Sequence, residues 1–131
     1  MANKTLENLD IEGKSSTFFV PAVHFDAQTG ICRLEGESYL ENTWEFYDQL
    51  TNWLKTYIEL RKPINFNFKL TYFNTSSSKG LLDILFLLKE YEKDGGEVIA
   101  NWYYPADDED NYMEAQDFIA DSELNMNLIA Y

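Results

Sequence analysis

The chain has 131 residues, 45% hydrophobic and 16% aromatic, which suits one folded domain with a single core and excludes a disordered chain. Ten Lys and Arg against 23 Asp and Glu give a net charge of −13. That balance argues against nucleic acid and anionic membranes as partners, since both recruit positive charge.

The first segment, Leu6 to Glu12, has the composition of a short strand closed by Gly13. Thr17 to Phe25 is rich in β-formers, and Pro21 places a strand after it or at an edge. Asp26 to Gly30 reads as a turn, and Ile31 to Gly36 alternates roughly, so residues 20–36 are expected to form a β-hairpin. A helix is expected from about Thr43 to Leu60, capped by Asn42 with Glu45 three residues on. Its apolar face is read as Trp44, Tyr47, Leu50, Leu54, Tyr57 and Ile58, widened by Trp53.

Pro63 ends that helix, and Ile64 to Phe73 follows as the clearest strand. Ile64, Phe66, Phe68, Leu70 and Tyr72 alternate with polar residues, which assigns them to one face. A second helix is expected from about Ser77 to Lys93, ended by Gly95-Gly96. Glu97 to Tyr104 reads as a strand and Asp107 to about Ile119 as a helix with acids in its first turn. Leu124 to Tyr131 fits either a last strand or a loosely packed tail. The order implies a single α/β domain over residues 1–131, a mixed sheet of four or five strands with helices packed on it and right-handed crossovers. In such sheets the functional loops gather at the carboxyl ends of the strands.

One such end carries the segment Tyr72-Phe73-Asn74-Thr75-Ser76-Ser77-Ser78-Lys79. Four successive hydroxyl residues at a helix start admit helix capping, or a phosphate that is bound, transferred or attached. A P-loop would need glycines before the lysine, whereas here Lys79 precedes Gly80. Nucleophilic catalysis would need a base. The only histidine, His24, lies in a strand-like segment, and nearby carboxylates such as Asp83 are the remaining candidates.

No catalytic residue, metal site or cofactor is expected. His24 and Cys32 are the only residues of their kinds, and Asp107 to Asp110 lacks the glycine and distal glutamate of an EF-hand loop. Every basic residue lies at or before Lys93, and the final 38 residues carry ten acids. A protein partner with a basic face is therefore the better expectation, and a constitutive acidic adaptor is one reading. No apolar run approaches the roughly 20 residues that span a bilayer. The start, Met1 to Glu7, lacks the apolar core of a secretory signal. The lone Cys32 fits a reducing, cytoplasmic setting.

Three segments carry a resemblance. Gly36-Glu37-Ser38-Tyr39-Leu40-Glu41-Asn42, the hydroxyl segment from Tyr72 to Lys79, and Trp102-Tyr103-Tyr104 followed by Asp107 to Asp110 stand in an order that resembles the SiaC family of bacterial regulatory phosphoproteins. The resemblance implies a fold similar to anti-sigma-factor antagonists (STAS-like) and a non-enzymatic role. It implies that a dedicated kinase modifies Thr75 and a phosphatase reverses the modification. It also implies that the unmodified form binds and stimulates a diguanylate cyclase, tying the switch to cyclic di-GMP and biofilm behaviour. Asn74, Ser76, Ser77 and Lys79 are the expected partner contacts, with Ser76 and Ser77 as alternative acceptors.

Overall fold

The computed structural model describes residues 6–131. Its elements are β1 (Leu9–Ile11), β2 (Lys14–Ser15), β3 (Phe19–Val20), β4 (Ala22–Phe25), β5 (Ile31–Ser38), α1 (Thr43–Glu59), β6 (Ile64–Phe73), α2 (Thr75–Lys93), β7 (Val98–Tyr104), α3 (Glu109–Ser122) and β8 (Asn127–Ala130). The main sheet runs β1-β4-β5-β6-β7-β8, and β2 and β3 form a separate small hairpin. This is the expected single α/β domain, but the main sheet has six strands rather than four or five. The extra strand comes from the C-terminal segment, which pairs in parallel with β7 from Asn101↔Asn127 to Tyr104↔Ala130.

The hairpin falls where the sequence placed it. Pro21 separates β3 from β4, and β4 pairs antiparallel with β5. In the turn, Asp26 Oδ1 accepts from the backbone N–H of Gln28 (2.8 Å) and Thr29 (3.1 Å). Those two donors, Thr29 first, hold the Asp26 carboxyl below its ordinary range. Gly30 closes the turn at φ +75, where a Cβ would stand 2.1 Å from the Pro63 carbonyl oxygen.

From β5 onward the pairing is parallel and follows chain order. Right-handed crossovers that always advance in one direction place all three helices on the same face. Ile64, Phe66, Phe68 and Leu70 of β6 are buried on the helix side, with Leu50, Leu54, Leu81, Ile84 and Leu85 among the residues packed over the sheet. The opposite face is polar. Asn127 donates to Asn101, Asn101 to Asn67 and Asn67 to Asn65, each at 2.9 Å, so the amides satisfy one another across three strands. Among the described residues, no helix is long and apolar enough to cross a membrane.

Two apolar assignments change. Trp44 is 76% exposed, and Phe46 takes the buried position instead. Phe46 stands in phase with Leu50, Trp53 and Tyr57, whereas Trp44 shares a flank with Asp48, Thr51 and Lys55. On β6 the alternation breaks. Gly36 pairs with Leu70 but Glu37 pairs with Tyr72, so Thr71 is an extra residue, a β-bulge. The bulge leaves Tyr72 49% exposed and sends Phe73 inward, 5.8 Å from the Trp102 ring and 5.7 Å from Phe118. Cys32 is fully buried, and burial holds its thiol far above the ordinary range, as suits a core residue.

Candidate functional site

β5, β6 and β7 end on the same side of the sheet, and each runs into the capped start of a helix. The three caps are Asn42, Asn74 and Asp108. Asn42 Oδ1 accepts from the Glu45 N–H (3.0 Å), and Glu45 returns the contact to the Asn42 side-chain amide (3.1 Å). Asp108 accepts from the Asn111 N–H (3.1 Å), which gives one member of the acidic run a structural task.

At α2 the cap is Asn74 rather than a serine, and the helix begins at Thr75, two residues earlier than the spacing suggested. Asn74 Oδ1 accepts from the Ser77 N–H at 3.0 Å. Thr75 is therefore the first residue of the helix, and its side chain is exposed. The backbone amides of Thr75 and Ser76 belong to the first turn, where no intrahelical acceptor exists and the dipole favours negative charge.

The neighbouring hydroxyls divide into two sets. Ser76 is exposed; its Oγ donates to Asn74 Oδ1 (3.3 Å) and meets Thr43 Oγ1 (3.0 Å), linking the starts of α1 and α2. Ser77 is fully buried. Its hydroxyl donates to the Ser38 carbonyl (3.0 Å) and accepts from Ser38 Oγ (2.7 Å). Because each hydroxyl has one proton, the Tyr47 hydroxyl is left to donate to Ser38 Oγ at 2.7 Å. Burial pushes the Tyr47 hydroxyl up to about 12, so it keeps that proton throughout the neutral range. Ser77 is thus neither an accessible acceptor nor a surface contact. It closes a buried triad that fixes α2 to the end of β5 and to α1.

Lys79 is one of the expected partner contacts. It is exposed, and its ammonium lies 3.5 Å from Asp83 Oδ2, one turn further along the helix. His24 contacts Asp10 on the helix-free face, in register with Arg33, well down the sheet from Thr75. No base stands at the hydroxyl segment from that source. A cavity of about 490 Å³ lies between the β2–β3 hairpin and the open face, and none of Asn74 to Lys79 lines it.

Asn111 gave no signal in the sequence beyond its place three residues after Asp108. It is 4% exposed, accepts from the Trp102 indole N–H (2.7 Å) and donates to the Leu70 carbonyl (2.8 Å), just before the bulge. It ties α3 to the strand end that carries the hydroxyl segment.

Fold and site together define a small α/β protein that presents an exposed threonine at a rigidly anchored helix start. The chain belongs to the SiaC family of regulatory phosphoproteins, whose family model matches residues 11–131. An uncharacterized protein of Pseudomonas aeruginosa strain UCBPP-PA14 is 34% identical over 127 residues, covering 96% of this chain and 98% of that protein. The crystal structure of apo-SiaC from Pseudomonas aeruginosa is similar at a TM-score of 0.83 and 33% identity, over 94% of this chain and 98% of that one. SiaC in its complex with the diguanylate cyclase SiaD, where it is described as the activator, is similar at a TM-score of 0.87 and 33% identity, over 94% and 99%.

Proposed function

We propose that this chain is a non-enzymatic cytoplasmic switch protein. A kinase phosphorylates Thr75, a phosphatase reverses it, and the unmodified form binds and stimulates a diguanylate cyclase. The observation that carries this reading is the separation of the hydroxyls: Thr75 stands free at the helix start while Ser77 is locked in the buried triad. The described relative SiaC, an activator of a diguanylate cyclase, supports the choice of partner.

A phosphate on Thr75 adds about −1.5 to −2 charges and three acceptors, which first-turn amides and the helix dipole tolerate. The anchoring below it is unaffected, so modification changes what a partner meets and leaves the fold in place. Asn74, Ser76 and Lys79 are the partner contacts in this reading, and Ser77 is removed from that set by its burial.

Phosphopeptide mass spectrometry after reaction with the cognate kinase checks the acceptor: modification is expected on Thr75 and lost in Thr75→Ala. Persistent phosphorylation of that variant would sink the assignment. Cyclase binding should survive Thr75→Ala and be lost in Thr75→Glu, and equal binding by both variants would count against the switch.

A further inference from the structure

Two cavities lie on the face of the sheet away from the helices. The larger, of about 490 Å³, is the one beside the β2–β3 hairpin, and Phe19, Val20, Ala22 and Tyr131 are among the residues that wall it. The smaller, of about 280 Å³, is lined by Arg33, Glu35, Asn67, Lys69 and Tyr103. Glu35 and Lys69 line both, so the two are lobes of one trough. A trough of this size is of the order that holds a small molecule, about 300–1,000 Å³.

The lobes differ in chemistry. Glu35 stands opposite Lys69 in the β5–β6 register, yet its carboxylate is drawn along its own strand to Arg33, at 3.3 Å. Among the described residues the Lys69 ammonium meets no carboxylate, and it lies instead 4.6 Å from the centre of the Tyr131 ring. Asn67 has its amide hydrogens committed to the Cys32 carbonyl and to Asn65. The donors left to a ligand in the smaller lobe are therefore Lys69, the remaining N–H groups of Arg33 and the Tyr103 hydroxyl. Two bases against one acid leave that lobe with one positive charge, in a chain whose net charge is −13. The cavities of about 220, 400 and 460 Å³ among the helices each carry more carboxylates than bases.

We propose that this trough binds a small aromatic monocarboxylate, with its carboxylate on Lys69 and Arg33 in the smaller lobe and its ring between Phe19, Val20 and Tyr131 in the larger. Arg33 offers paired N–H donors to a carboxylate, and Lys69 adds a point charge. Glu35 sets the valence: a second negative charge on the ligand, as on a phosphate dianion, would meet that carboxylate and be repelled. Aromatic and aliphatic walls suit a flat apolar body, which prefers offset or edge contact with rings. Both anchoring cations project from strands paired in register, which holds them more firmly than a loop would. Thr71, the bulge residue, also lines the larger lobe, so the ligand lies against the irregularity that leads β6 into Asn74 and Thr75. Filling the trough leaves the helix starts free, and binding here is independent of the partner reading above.

The test uses the intact, unmodified chain, with naphthylacetate as the probe and its neutral amide, naphthylacetamide, as the control, in an NMR titration of the backbone amides. Naphthylacetate should bind saturably at millimolar concentration or below, with the largest shifts at Gly36, Lys69 and Thr71. The amide should bind about tenfold more weakly, and Lys69→Gln and Arg33→Gln should each weaken the acid by about the same factor. Both cations are exposed, so the melting temperatures of these variants should match the wild type. Lys55→Gln, on α1, should bind as the wild type does. Without any substitution, added salt should weaken the acid and leave the amide unchanged. Shifts that never saturate, shifts centred on the helices, equal affinity for acid and amide, or wild-type affinity in Lys69→Gln would each overturn the site.

Discussion

At the scale of single residues, the hydroxyl segment is three chemistries in a row. Thr75 is offered to solvent, Ser76 bridges to Thr43, and Ser77 is consumed by the Ser38–Tyr47 triad. Ser77→Ala leaves the Ser38 hydroxyl without its acceptor in a buried site, and should cost about 1–3 kcal/mol in urea unfolding. Ser76→Ala, at an exposed position, should stay within about 0.5 kcal/mol. Equal effects from the two would show that the triad does not hold the helix start. The sequence marks all three as hydroxyls at a helix start. It does not say which one faces the core, because Ser77 is chosen by contact with Ser38, 39 residues earlier in the chain.

At the scale of elements, the site depends on how two helices and a bulged strand meet. Gly80 lies inside a helix, where alanine is ordinarily better by about 1 kcal/mol. Here the added Cβ would collide with the Tyr47 ring, and overpacking of this kind typically costs about 1–3 kcal/mol. Gly80→Ala should therefore lower stability despite its higher helix propensity, measured by thermal or urea unfolding. A stabilised variant would mean that α1 and α2 separate freely. The cap Asn42 is a local signal and was legible in the sequence, whereas the acidic run was read as the first turn of α3 and Asp108 turns out to be its cap. The bulge at Thr71 was not legible, because period two on one strand carries no record of its partner's register. It redirects Phe73 into the core and Tyr72 to the surface, and so sets where Asn74 and Thr75 emerge.

At the scale of the whole molecule, a charge of −13 keeps copies apart at neutral pH and steers basic partners toward the surface. Acidification removes that repulsion unevenly. Asp26 has a folded pKa below the ordinary 3.8, so its turn contributes stability above 3.8 that is lost as pH falls through the depressed value. Asp26→Asn should melt below the wild type at pH 7, and the gap should begin to close only under about pH 4. A gap that closes near pH 6 would assign the effect to other groups.

The sequence by itself determined the α/β order, the antiparallel hairpin and the Asn42 cap, since each is written in local periodicity and in residues that bond to their own neighbours. It also carried the family resemblance, through three separated segments. Tertiary structure decided the sixth strand, the burial of Ser77 and the exposure of Trp44. Each of these depends on which distant surface comes into contact, and a chain read one segment at a time holds no such contact until the sheet has formed and the helices have packed on it.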